Sequence, residues 1–260
     1  MAMLECYFDD SGTHDGSPIV TWGGLFGTTA QWDYLDKRWR ALLSDPLPEA
    51  NKRPLRQFHL SHCAALDGEF ADYKRAESDR VRYLFRRIIA DSKLESYAYS
   101  VSTSDYDELV RGRARAYFGS AEKLAITGCL AKALVRANQR REDFVSVTFD
   151  SGRMTPEIRS HADYVQKEYE GPSVLISIGQ MPVANLTALQ AADTIATESF
   201  WSAKARLKEG HAEHSAHLLS LLREVDVIQG YIMEREHIKA LLKMYRLNPN
   251  RSARFELEPA

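Results

Sequence analysis

The 260-residue chain is poor in cysteine, with only Cys6, Cys63 and Cys129, odd in number and far apart. Neither a disulfide framework nor a zinc pattern can be built from them, so reduced thiols in a cytoplasmic protein are the expectation. No run of about 18 apolar residues, the length a membrane-spanning helix needs, occurs anywhere. The N-terminal residues carry neither a basic stretch nor an apolar signal core. Charge of one sign is also missing: the net value is −2, which leaves no global basic field to attract nucleic acid or membrane, and any such partner has to be met by a local patch. Internal repeats and low-complexity linkers are absent too. With 44% hydrophobic and 27% charged residues, the composition is that of a soluble globular protein with a sizeable core.

What is present begins at Leu4-Glu5-Cys6-Tyr7-Phe8-Asp9-Asp10-Ser11-Gly12. Leu4, Cys6 and Phe8 alternate with Glu5, Tyr7 and Asp9, the period of a strand, and Ser-Gly marks its end. A carboxylate fixed by a strand yet reachable at its end suits a hard cation. Asp and Gly are also the commonest turn residues, so this stretch alone reads equally as the opening of a turn. Residues 18–27 give a second strand in antiparallel pairing with the first. Trp32, Leu35 and Trp39 place an amphipathic helix over 29–43, closed by Pro46 and Pro48. Residues 51–72 are irregular; a helix over 78–92 and a strand over 95–102 follow. A helix apolar on most sides spans about 115–140. The strand Phe144-Val145-Ser146-Val147-Thr148-Phe149-Asp150 then ends, like the first, in Asp-Ser-Gly. Beyond it the pattern predicts a helix over 155–169, a fifth strand over 174–178, a helix of small residues from Ala188 toward Trp201, and two amphipathic helices at about 215–225 and 235–245.

Parity tests whether the acids can meet. Asp9 shares a face with Tyr7 and Glu5, and Asp150 with Thr148, Ser146 and Phe144; in both strands the other face is the more apolar. Neighbouring strands lie about 4.8 Å apart, so adjacent ends would bring the pair to one cation. Asp10 points the other way and ranks lower. Asp193 lies among Ala191, Ala192, Ile195 and Ala196, where it either faces solvent or is buried with a partner; a shared cation would be one. Glu122, in the apolar helix before the second acidic strand, is a fourth candidate and equally a salt-bridge partner. Glu198 is about 140° round the helix from Asp193 by the 3.6-residue period and faces elsewhere.

The endings Phe-Asp-Asp-Ser-Gly and Phe-Asp-Ser-Gly, with the late Leu189-Gln190-Ala191-Ala192-Asp193 segment, resemble the family catalogued as domain of unknown function 3800, over roughly residues 4–200. That family is similar to ribonuclease H-like proteins. The resemblance implies an α/β fold: a mixed five-stranded sheet, its first three strands antiparallel, with flanking helices, a helical insertion and extra C-terminal helices. One domain over 1–250, with the insertion at about 29–92 and a tail at 251–260, is the simplest partition. Asp9, Asp150 and Asp193 match the motif positions; Glu122 matches only by its helix. The family's usual second acid is Glu, where this chain has Asp10.

Such acids in ribonuclease H-like enzymes hold two divalent cations. Oxygen ligands select Mg²⁺ or Mn²⁺, and an ion pair about 3.5–4 Å apart suits phosphodiester hydrolysis. A metal-dependent nuclease acting on DNA or RNA, in the service of a mobile element or phage defence, is the leading expectation. A catalytically silent module that binds nucleic acid or protein on the same fold is the alternative, and a smaller phosphoester is a third. Arg86-Arg87, the Arg111, Arg113 and Arg115 series and Arg140-Arg141 are candidate phosphate contacts and, equally, solvated helix faces. Tyr7 and Trp22 could stack bases or belong to the core. His59, with His62 and Cys63 nearby, is a candidate for substrate contact or proton transfer; His211, His214 and His217 read as an exposed face. The C-terminal amphipathic helices offer a homodimer surface.

Overall fold

The alternating N-terminal stretch forms strand β1 (Met3–Ser11), paired antiparallel with β2 (Ile19–Gly27), which pairs antiparallel with β3 (Glu95–Ser102). The computed structural model describes residues 3–141, 144–150, 163, 165, 175–209 and 228–247. β4 (Phe144–Asp150) lies parallel beside β1, and β5 (Leu175–Met181) parallel beside β4. The antiparallel start and the mixed sheet are as expected. The strand number is not: β6 (Ile228–Met233) pairs parallel with β3, giving a six-stranded sheet of order β5-β4-β1-β2-β3-β6. A six-residue strand with Gly230 in its middle carries little pattern of its own, and pairing with β3 decides its state.

Helices cover both faces. On one, Leu4, Cys6, Phe8, Trp22, Tyr99, Val147 and Phe149 pack beneath α6 (Ala121–Arg140) and α8 (Arg235–Leu247), with α4 (Thr103–Leu109) and α5 (Gly112–Phe118) at the rim. The single helix expected over 115–140 is thus two. Gly119 adopts a left-handed φ of 76° and Ser120 caps the second helix, its hydroxyl accepting from the Lys123 amide. On the other face lie α1 (Thr29–Ser44), the short α2 (Leu60–Ala65) within the stretch read as irregular, α3 (Arg75–Ser92) and α7 (Thr187–Glu209). The expected helix over 155–169 lies outside the described residues except for helical Asp163 and Val165, and that over 215–225 lies wholly outside them. Among the described residues no helix is long and apolar enough to cross a membrane.

α7 positions the site. Its residues 187–198 are buried all round, between the sheet on one side and α1, α2 and α3 on the other. Small side chains permit this: Ala191, Ala192 and Ala196 are fully buried, and Ala196 rests on Gly23 of β2. A Cβ on Gly23 would stand 2.9 Å from the Ala196 Cα and 3.0 Å from its amide nitrogen, backbone atoms that cannot swing aside. Gly23→Ala is therefore expected to lift α7 and to lower stability by about 1–3 kcal/mol. Urea denaturation measures this, and an unchanged midpoint would contradict the close approach.

Candidate functional site

β1 alternates so that Asp9 faces α7 while Phe8 and Asp10 face the opposite layer. Asp9 stands in register with Gly23, the residue that admits α7. On its other flank β1 runs in register with β4 through Phe8 and Phe149, and the next step along both strands brings Asp9 beside Asp150. Asp150 belongs to the partly exposed set of β4, its alternate neighbours Val145, Val147 and Phe149 being buried. Asp193 sits three residues before Ala196 on α7, so it overhangs the same strand ends. Two strands and a helix thus deliver Asp9, Asp150 and Asp193 to one face at one end of the sheet.

Each carboxylate is held by local donors. The Asp10 amide donates to Asp9 Oδ1 at 2.9 Å, and the Val183 amide donates to Asp150 Oδ1 at 3.2 Å. Asp193 Oδ2 accepts from the Leu60 amide at 3.0 Å, and its Oδ1 accepts from the Thr197 hydroxyl at 3.3 Å. His59 brings Nδ1 to 3.6 Å from Asp193 Oδ2, stacks on His62 and stays partly exposed. Gln190, one turn before Asp193, ties these segments together. Its Oε1 accepts from the Trp39 indole at 3.0 Å and the Phe58 amide at 2.9 Å, and its Nε2 donates to the Val183 carbonyl at 3.4 Å. The turn that fixes Asp150, the segment that presents His59 and the helix that carries Asp193 therefore share one buried amide.

The acids repel. Burial, then the charges of Asp193, Asp10 and Asp150, push the Asp9 carboxyl from 3.8 up to about 8, against the pull of the Asp10 amide. Burial also raises Asp193, while His59, the Leu60 amide and Thr197 oppose it. Among the described residues, no three His, Cys, Asp or Glu side chains close around one point as a ready metal cage. The donor set nonetheless fits a hard cation in chemistry, being all oxygen, with Asp9 and Asp193 buried and the neighbouring acids repelling Asp9.

Other candidates fall elsewhere. Glu122 occupies the first turn of α6, across the sheet from Asp193, and does not share the face of the three aspartates. Arg86 is turned inward and ion-paired with fully buried Glu198 of α7. Burial and neighbouring Arg82 lower the Arg86 guanidinium to about 10, so a helix face read as basic surface is in part a buried ionic seam. Arg115 pairs with Asp107, Arg87 with Asp91 and Arg140 with Glu95. Trp22 is core, fully buried against Phe149, and Tyr7 is half-buried, edge-on to Trp32 at the margin of the other core. His211, His214 and His217 lie outside the described residues, as do Ser151 and Gly152.

No family model matches the chain, and no curated protein matches it. The chain is similar in structure to a chain of the solved PCNA:RNase HII complex from Archaeoglobus fulgidus, at 11% identity and a TM-score of 0.43, over 99% of this chain and 97% of that one. The role of Gln190 was hidden in the sequence, where the only signal was a long polar side chain beside alanines; His59, a candidate for substrate contact or proton transfer, stands beside Asp193.

The shifted Asp9 has a thermodynamic consequence. Its folded value of about 8 lies above the ordinary 3.8, so between these limits the folded state binds more protons than the unfolded one. Its contribution is intact at low pH and is lost as pH rises through about 8. Without divalent ions, the melting temperature is expected to fall from pH 5 to pH 8, and Asp9→Asn to flatten that slope. Parallel pH profiles for the two proteins would contradict the assignment.

Proposed function

We propose that the protein is a divalent-metal-dependent nuclease of ribonuclease H-like fold, acting on DNA or RNA. The observation that carries this reading is the convergence of Asp9, Asp150 and Asp193 from β1, β4 and α7 at one end of the sheet. The strand arrangement supports it: a mixed sheet whose first three strands are antiparallel is what the family resemblance implied, and β4 and β5 lie in parallel beside β1.

In this reading Asp9, Asp150 and Asp193 hold Mg²⁺ or Mn²⁺. The bound ion supplies charge to the scissile phosphate and lowers the pKa of an attacking water. Such ions usually keep several waters and take only one or two carboxylates alongside substrate phosphates. The chain's own contribution is positioning. Burial of Asp9 keeps water from screening its charge, the Leu60 amide and Thr197 fix the Asp193 carboxylate, and the Val183 amide orients Asp150 toward the strand end. A carboxyl raised to about 8 also means that ion capture displaces a proton from Asp9 near neutral pH.

That no three such side chains among the described residues form a ready cage favours one competing reading, a module that binds nucleic acid or protein without turnover. Calorimetric titration of Mn²⁺ into wild type and into the Asp9→Asn, Asp150→Asn double variant separates the two. Binding by wild type that vanishes in the double variant, together with oligonucleotide cleavage lost in a folded Asp150→Asn protein, is the expected result. Absence of binding by wild type, even with oligonucleotide present, hands the site to the silent module.

A further inference from the structure

We propose that the outer face of α1 and α3 binds a single strand of nucleic acid, its tyrosines stacking bases while its lysine and arginines meet phosphates. The inference rests on the nuclease reading for the kind of polymer alone, and it names the strandedness which that reading leaves open. Among the described residues, Tyr34 of α1 and Tyr83 of α3 are the only phenylalanine, tyrosine or tryptophan side chains that lie exposed, each at 42%. The other rings of these helices, Trp32, Trp39 and Phe85, are buried in the core.

Both helices turn the same kind of stripe outward. At about 100° per residue, Tyr34 and Lys37 fall opposite to buried Trp32 and Trp39, and Arg80, Tyr83 and Arg87 fall opposite to buried Val81, Phe85 and Ile89. The helices pack side by side and run antiparallel. Gln31 at the start of α1 donates to the Lys93 carbonyl just past the end of α3, and the Trp39 and Phe85 rings meet with centroids 4.5 Å apart. These two contacts fix the same levels, so Lys37 stands level with Arg87 and Ala41 with Tyr83. From the level of Tyr34 to that of Tyr83 is then about 10 Å along the axes, on helices about 8–10 Å apart. Lys37 and Arg87 lie between the two rings.

The charge along the stripe is mainly positive. Lys37, Arg38 and Arg80 are exposed, and the acids of the two helices are engaged with other groups: Asp36 with Arg40 and the Thr187 hydroxyl, Asp79 with Arg82, and Asp91 with Arg87. Asp33 stands about 100° round the helix from Tyr34. The Arg80 guanidinium lies 5.6 Å from the centroid of the Tyr83 ring, which sets a cation beside a stacking surface. Exposed rings interleaved with cations are what a single strand needs, because its bases are uncovered and stack on an aromatic face whatever their sequence. In a duplex the bases are covered by their neighbours and only backbone remains to be met. An acidic protein would use the cations and leave the rings idle.

The test is fluorescence anisotropy of a labelled oligothymidine of about 12 nucleotides, and of a duplex of the same length, with the full chain in EDTA so that no divalent ion takes part. Wild type is compared with three double variants: Tyr34→Ala with Tyr83→Ala, Tyr34→Phe with Tyr83→Phe, and Lys37→Gln with Arg80→Gln. Wild type is expected to bind the single strand more tightly than the duplex. The alanine pair should lose about tenfold or more in single-strand affinity with duplex affinity unchanged, and the phenylalanine pair, which keeps the rings, should bind as wild type does. The glutamine pair should reduce the slope of log affinity against log salt by about 1.4, at about 0.7 per phosphate contact. Should the alanine pair melt early, that salt slope decides. Absence of single-strand binding by wild type, or wild-type affinity in a folded alanine pair, overturns the inference and leaves the carboxylate site standing. Equal losses for strand and duplex overturn the choice of a single strand. Polyglutamate that competes as well as unlabelled oligothymidine overturns it in favour of an acidic protein partner. The Mn²⁺ titration does not enter this readout, so a failed metal site and a failed strand-binding face are told apart.

Discussion

The close approach of α7 to β2 is the constraint on which the rest depends. With Ala196 seated on Gly23, the helix lies low enough to be covered on its far side by α1, α2 and α3, and a helix buried on every side must satisfy its polar side chains internally. Gln190, Asp193, Thr197 and Glu198 are all buried, and each finds a partner: Trp39 and Phe58, Leu60 and His59, Asp193, and Arg86 respectively. The helical segment between β2 and β3 is therefore the complement of α7. It supplies donors for one buried helix, and in doing so it brings His59 to the acids.

The same packing sets the electrostatics against stability. Asp9 and Asp193 are withdrawn from water, which raises both carboxyl groups, and the charge of Asp193 raises Asp9 further. An Asn at either position would occupy the same space without the charge. Sites that hold like charges together in a buried place are where a counter-charge is normally supplied from outside. The ionic seam between Arg86 and Glu198 is the opposite case, since its counter-charge is built in and α3 and α7 are joined by it.

Much of the site was legible because strands announce their faces. Alternation in 4–9 and 144–150 put Asp9 and Asp150 on the less apolar side, and the register of β1 with β4 follows that parity. Asp193 was legible through its small neighbours, whose size is the reason the helix comes so near. Other features depend on what lies across space. Gly119 and Ser120 split a helix whose apolar pattern runs straight through the break. β6 is defined by its partner, and Arg86 looks like surface until Glu198 is known to face it. Glu122 shows the limit of reading from chain position: it precedes the acidic strand in sequence, yet α6 crosses on the other layer.

The strand order also carries a temporal meaning. β1 and β2 form a hairpin, whereas β3 joins it across residues 28–94 and β4 joins it in parallel across residues 12–143, and α7 follows both acidic strands in the chain. Contacts that close long loops cost more chain entropy and form later than local ones. Asp9 stands in the hairpin, whereas Asp150 and Asp193 reach it only through contacts far apart in the chain, so the three acids share one place only where the long-range architecture is complete.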